Sequence, residues 1–167
     1  MRYLLSLLMF LLAATAHAQA AEPVRYFNVI LLQPSATLEE RVPRVDAMAD
    51  YVRAVEAATR EAVIASGARQ AVGGFVVVAV RPGMASKVWL DFDALLDLEL
   101  RKQIVAKVGA VRPFEVLKGP VVFALKVATW NGKESKRPAP APQEWKQAKR
   151  AGAAPEVGEL VESIWND

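Results

Sequence analysis

One uninterrupted apolar run, Gly74–Val80 (GFVVVAV), constrains the fold more than any other part of the chain. The run is short and rich in β-branched residues, which is typical of a strand that is buried on both faces or nearly so. A turn is predicted over Arg81–Ser86, which contains Pro and Gly. The chain must therefore form a sheet. Gly73 and Gly74, at the start of the run, are expected to be turn glycines.

A second strand is predicted over Lys87–Asp93, where apolar and polar residues alternate. This strand pairs with the first as a hairpin. The side chains expected to face the core are Val88, Leu90 and Phe92, and those expected to face away from it are Lys87, Trp89 and Asp91.

A long helix is predicted between an earlier strand, Arg25–Gln33, and the hairpin. Thr37–Glu40 has the spacing of a capping box, but Pro43 prevents one continuous helix and fits near the first turn of the next one. Gly67 is expected to end that helix as its C-cap. The apolar stripe of the helix comprises Val45, Met48, Val52, Val55, Thr59 and Ala62.

A further helix and a last strand follow the hairpin. The helix is predicted over Leu95–Val108 with Asp93 as its cap, and the strand over Gly119–Trp130. The predicted inner face of the helix comprises Leu96, Leu100, Ile104 and Val108. The order β-α-β-β-α-β predicts an α+β fold, with a small antiparallel sheet and helices packed on one face, close to the split β-α-β plan. A ferredoxin-like sandwich is the alternative.

The C-terminal part is predicted to lie outside the α+β domain, which spans residues 21–132. Residues 133–143 (KESKRPAPAPQ) are a polar, proline-rich linker that is expected to be extended. Residues 144–167 are predicted to be an amphipathic helical tail, with Pro155 at the start of the helix. The apolar face of this helix comprises Val157, Leu160, Val161, Ile164 and Trp165. It is expected to dock either on its own sheet or on a partner.

The first twenty residues have the pattern of a secretory signal peptide. Arg2 precedes an apolar run, and small residues at Ala16 and Ala18, or at Ala18 and Ala20, form a cleavage site. The run is shorter than the ~20 residues that span a bilayer. The pattern predicts export to the periplasm. The single His of the chain, His17, lies in this segment and the chain has no Cys, so the mature protein would lack zinc-thiolate sites and a Ser-His-Asp triad.

Residues Gly73–Trp130 resemble the C-terminal domain of TonB, a fold that TolA shares. The resemblance rests on Gly74 before a strand, Pro82-Gly83 at the turn, Arg112-Pro113-Phe114 after a Leu-rich helix, and Gly119-Pro120-Val121 at the last strand. It covers about a third of the chain. The resemblance implies a TonB-like fold and contacts with periplasmic proteins. It does not imply force transduction, because a cleavable signal peptide is predicted in place of the N-terminal anchor of TonB and no long proline-rich spacer is expected before the domain.

Three carboxylates near the hairpin are candidate metal ligands. Asp91 and Asp93 are two residues apart on a strand and share a face, and Asp97 follows in the predicted helix. Together they could hold Mg²⁺ or Ca²⁺, which prefer several oxygen ligands. The competing interpretation is a solvated strand face and an acid that compensates the helix dipole. We favour this second interpretation and predict no catalytic residue, no bound metal and no cofactor.

Charge is segregated along the predicted mature chain. Acidic and basic residues balance over 21–111, whereas 112–150 carries a net charge of +6 and 151–167 a net charge of −4. The basic block could attract anionic lipid, an acidic protein or the acidic tail of the same chain. Nucleic acid is a poor match outside the cytoplasm.

These patterns predict a non-enzymatic periplasmic module that binds a protein of the cell envelope through a sheet edge or its C-terminal helix. Trp89, Trp130 and the apolar face of the tail helix are the predicted interface residues. The alternative is a carboxylate-based or metal-dependent enzyme that uses Asp91, Asp93 and Asp97.

We expect the exported protein to begin at Gln19 or Ala21, because the two A-x-A sites end at Ala18 and Ala20. Intact-mass measurement of the protein recovered from the periplasmic fraction checks this expectation. Recovery of the uncleaved chain of 167 residues, in the membrane fraction only, would contradict it.

Overall fold

The computed structural model describes residues 21–152 and 156–165. These residues form a four-stranded antiparallel sheet and five helices, which confirms the predicted α+β class. The predicted signal peptide and Pro155 lie outside the described residues. The elements are β1 (Val24–Leu31), α1 (Ser35–Arg41), α2 (Val45–Ala65), β2 (Val72–Arg81), β3 (Ala85–Phe92), α3 (Leu98–Gly109), β4 (Val121–Thr129), α4 (Gln143–Arg150) and α5 (Val157–Ser163).

The strand order is β1-β4-β2-β3, and every neighbouring pair is antiparallel. β1 and β2 are both antiparallel to β4, so they run parallel to each other with β4 between them. In the same way, β3 and β4 run parallel to each other with β2 between them. Each half of the sheet is therefore a β-α-β unit that is split by a strand of the other half, as the order of the elements predicts.

The first face of the sheet packs against α2 and α3. Its core contains four valines of β2, the predicted inner face of α3 and one side of α2, joined by Phe114 and Phe123. The buried residues of β2 on this face are Val72, Val76, Val78 and Val80. The predicted inner residues Leu96, Leu100, Ile104 and Val108 are all buried here. The 3.6-residue periodicity therefore predicted correctly which residues of this helix are buried on the first face.

Two details of the helices differ from the prediction. α3 begins at Leu98 and its cap is Asp97, which accepts hydrogen bonds from the backbone N–H groups of Glu99 and Leu100. The predicted cap, Asp93, is wrong because its carboxylate is held by the C-terminal part of the chain. In α2, burial begins only at Tyr51 and Val45 is 76% exposed, so the predicted stripe is wrong at its N-terminal end.

The second face of the sheet is covered by the C-terminal part of the chain. We call residues 133–152 and 156–165 the C-terminal segment. Phe75, Val77 and Ala79 of β2 point to this face and are fully buried. They pack with Trp145 of α4 and with residues of α5. β2 is therefore buried on both faces, as its uninterrupted apolar run predicts.

The C-terminal segment crosses β2 at Gly73. A Cβ atom at Gly73 would lie 2.1 Å from the carbonyl oxygen of Lys133 and 2.9 Å from the backbone nitrogen of Ser135. Gly74 allows an equally close approach on the first face, where a Cβ would lie 2.4 Å from the Cα of Phe92. Both glycines belong to β2 rather than to a turn, which corrects the prediction. They are needed because neighbouring backbone occupies the space of a side chain.

We expect Gly73→Ala to lower the free energy of unfolding by about 1–3 kcal/mol, because the added methyl group must displace the crossing backbone. Urea denaturation followed by tryptophan fluorescence measures the change. Gly109→Ala is the matched control, since no atom lies within 4 Å of the added Cβ and the site is helical. This control is expected to keep or slightly raise the stability. Equal stability of Gly73→Ala and the wild-type protein would contradict the crossing.

Candidate functional site

The outer edge of β3 carries unpaired backbone groups. β3 is the last strand of the sheet, and the backbone nitrogen of Asp93 donates to the carbonyl oxygen of Gly73 at 2.9 Å. Since hydrogen-bonded pairs alternate along an antiparallel ladder, the odd-numbered residues of β3 bond to β2. The even-numbered residues, Ser86 to Phe92, direct their N–H and C=O groups away from the sheet. No other described element forms a backbone ladder with them.

This edge lies at the bottom of a groove of about 390 Å³. Arg101 and Val105 of α3 form one wall. The other wall is formed by Pro142, Gln143, Glu144 and Lys146, at the start of α4. Leu95, 88% exposed, lies at the end of the groove, and Val105 is 40% exposed. The groove therefore offers hydrogen-bonding groups along its floor and apolar side chains at its margin.

Asp91 and Asp93 are held by one arginine of the C-terminal segment. Arg137 contacts Asp91 through Nη1 at 2.6 Å and Asp93 through Nε at 3.0 Å. The hydroxyl of Ser135 donates to Asp93 at 2.8 Å, and the backbone nitrogen of Ala141 donates to Asp91 at 2.6 Å. Only 11% of the Asp91 side chain is exposed, so the predicted solvated strand face is wrong here.

Burial alone would lower the pKa of Arg137, but its hydrogen bonds and charge interactions with Asp91 and Asp93 raise that pKa above its ordinary value. The guanidinium therefore remains charged at neutral pH.

The third acidic candidate, Asp97, has a separate role. Its carboxylate caps α3. Its backbone nitrogen donates a hydrogen bond to the side-chain oxygen of Gln70 at 2.9 Å. Within residues 21–152 and 156–165, no cluster of three His, Cys, Asp or Glu side chains is arranged to hold a metal ion. The structure thus brings Asp91 and Asp93 together around Arg137, and it does not bring Asp97 to them.

Trp89 points to the second face, away from the first core, as its position in the alternation predicts. It is only 4% exposed because α4 covers it. Its ring contacts that of Trp145 edge to face, with a centroid distance of 5.6 Å, and its indole Nε1 donates to Glu144 at 2.6 Å. Trp130, the other aromatic interface candidate, packs partly against the first core under the guanidinium of Arg69.

The predicted apolar face of the tail helix lies on the sheet of its own chain. Leu160 and Val161 are fully buried, and Ile164 is 9% exposed. Val157 and Trp165 are partly buried against the same cluster. Of the two docking modes that the sequence left open, the structure shows the intramolecular one.

A polar junction fixes the start of α5. Glu156 accepts a hydrogen bond from the backbone nitrogen of Glu159 at 2.9 Å. Burial alone would raise the pKa of Glu156, but hydrogen bonds from Gly158, Glu159 and Gln33, with the positive charge of Arg41, lower that pKa below its ordinary value. Gln33 also bonds to Pro120 and Val122, at the start of β4. The junction therefore joins α5 to the sheet through a carboxylate that is charged at neutral pH.

Comparison of the chain with protein-family models, with curated proteins and with solved structures finds no match. The resemblance of Gly73–Trp130 to the TonB C-terminal domain therefore stays a prediction. Among the described residues, no helix has the length and apolar character that crossing a bilayer requires.

Sequence reasoning missed Arg137 and Trp145, which fix the C-terminal segment. Arg137 lies in the proline-rich stretch that indicated a linker. A partner 44 to 46 residues away leaves no local pattern. Trp145 and Ala148 do have helical spacing, and this was the available signal for α4.

We expect Arg137→Met to lower the free energy of unfolding by about 1–3 kcal/mol, because it leaves the mostly buried charge of Asp91 without its partner. Thermal or urea denaturation measures the loss. Arg53→Met is the matched control, since Arg53 and its partner Asp50 are both more than two-thirds exposed. Its expected effect is within about 0.5 kcal/mol. A loss of the same size in both variants would contradict the special role of Arg137.

Proposed function

We propose that this protein is a non-enzymatic interaction module of the cell envelope, and that it binds an extended segment of a partner protein along the free edge of β3. The observation that carries the proposal is the unpaired backbone of β3 at the bottom of the groove between α3 and α4. An extended peptide that adds to such an edge gains main-chain hydrogen bonds, and flanking side chains select its sequence.

The regularity of β3 supports this choice of edge. β3 pairs with β2 over eight consecutive residues without a register shift. β1, at the opposite edge, has a bulge between Tyr26 and Asn28. A bulge interrupts the even spacing of donors and acceptors and disfavours the addition of another strand. The two edges are therefore not equivalent, and β3 is the better template.

The dimensions of the edge also suit a short peptide. The outward groups run from Ser86 to Phe92, which corresponds to about 20 Å at the ~3.4 Å rise of an antiparallel strand. This length accommodates about six residues of an incoming strand. Side chains of alternate peptide residues would meet α3 on one side and α4 on the other.

The location in the envelope is part of the proposal and is supported by the N-terminal sequence. Arg2, the apolar run and the small residues at Ala16, Ala18 and Ala20 favour export. The resemblance to the TonB C-terminal domain, on Gly73–Trp130, favours the same compartment and a protein partner.

A selection from random eight-residue peptides tests the proposal. Peptides enriched on the purified protein are expected to shift the amide NMR signals of Val88, Leu90 and Phe92. Leu90→Pro removes one outward N–H group and is expected to weaken binding of a selected peptide about tenfold, because a hydrogen bond is lost and the ring obstructs the edge.

Leu90→Ala is the control for this test, because it removes similar packing but keeps the outward N–H group. It is expected to bind the peptide within about threefold of the wild-type affinity. Circular dichroism verifies that both variants are folded. The proposal is wrong if the shifts map to α5, if both variants lose binding equally, or if no peptide is enriched.

A further inference from the structure

The outer surface of the C-terminal segment carries five cations. Lys133 and Lys136 lie in the stretch that crosses the sheet, and three more follow in α4. All five side chains are exposed, and none forms an ion pair or hydrogen bond with another described residue. We call Lys133, Lys136, Lys146, Lys149 and Arg150 the basic surface.

The cations of α4 lie on one side of the helix. Lys146, Lys149 and Arg150 are spaced i, i+3 and i+4, so they lie within an arc of about 100° on a helix of 3.6 residues per turn. Trp145 is 3% exposed and holds the helix to the sheet. The helix is therefore fixed at its apolar side, and its cations point to solvent.

The acidic groups at this surface have hydrogen-bond or ion-pair partners within the domain. Glu134 pairs with Lys126 at 2.7 Å, and Glu144 accepts from the indole of Trp89 at 2.6 Å. Asp91 and Asp93, beneath the stretch, pair with Arg137. These four carboxylates and their two cationic partners leave a charge of −2, whereas the five unpaired cations carry +5, so the surface has a net positive charge.

We propose that the basic surface binds the anionic headgroups of a phospholipid bilayer. Four of its five cations are lysines, which are depleted in protein interfaces, whereas a headgroup layer requires only diffuse positive charge. In addition, none of the large hydrophobic side chains that are exposed among the described residues lies between residues 133 and 152. A protein partner would need such anchors, and a peripheral electrostatic contact does not.

The lipid proposal and the peptide proposal can be tested separately. Lys149 and Arg150 do not line the groove at β3, although Lys146 does. A variant of these two residues therefore separates the two proposals.

The test is co-sedimentation with vesicles of phosphatidylcholine that contain about one-third phosphatidylglycerol. Wild-type protein and variants carry the same N-terminus, and vesicles of phosphatidylcholine alone control for apolar insertion. We expect binding to the anionic vesicles only. Lys149→Gln/Arg150→Gln is expected to weaken it about 20- to 30-fold, since each cation near such a surface contributes about a fivefold gain in affinity. Binding should also fall steeply from about 0.05 to 0.5 M salt.

Lys102→Gln/Arg112→Gln is the matched control. It removes the same charges, one Lys and one Arg, from exposed positions outside the C-terminal segment. It is expected to bind within about twofold of the wild-type protein. Equal weakening by both double variants would overturn the proposal, because net charge alone would then explain the binding. Absence of binding at low salt, or equal binding to both kinds of vesicle, would overturn it as well.

Selected peptides should bind the Lys149→Gln/Arg150→Gln variant normally, which keeps the outcomes of the two proposals distinguishable.

Discussion

The crossing of the C-terminal segment over Gly73 is the contact on which the rest of the structure depends. β2 is apolar on both sides, so the sheet needs a layer on each face, and α2 with α3 supplies only one. The chain leaves β4 and reverses at Trp130 and Asn131, both at positive φ, with the Gly132 nitrogen bonded to Thr129. It can then reach the second face only where β2 has no side chain in the way. Arg137 fixes the segment immediately after this crossing.

The same segment shapes the candidate site. Residues 142–144 and Lys146 form a wall of the groove. Their position is set by the packing of Trp145 on Trp89 and by the hydrogen bond from the indole nitrogen of Trp89 to Glu144. The edge of β3 is thus open to a strand but bounded on both sides. Without the segment, the edge would remain, yet one wall of the groove and the cover of Phe75 and Val77 would be lost. The proposed peptide groove and the stability of the second face therefore both depend on α4.

The sequence allowed prediction of the first face but not of the second. Periodicity identified the strands and the inner residues of α3, because those residues are neighbours along the chain and repeat with a fixed period. The contacts of Arg137 with Asp91 and Asp93 join residues more than forty positions apart, and proline-rich composition indicated a linker instead. The groove was not predictable for the same reason, since its floor and its walls come from three separate elements. Only the possibility of an unpaired sheet edge followed from the order of the elements.

The fold shows which of the charges that are segregated along the chain are paired and which remain on the surface. The basic block contributes Arg137 to an internal ion-pair cluster and leaves other cations on the surface. The acidic end contributes Glu156 to a junction with Arg41 and Gln33. Glu156 is therefore held by Arg41 of α1 and by Gln33, and it forms no ion pair with the exposed lysines of α4. The described acidic residues of α5 form no ion pair with the basic surface, so the positive charge of that surface is not paired within the described residues.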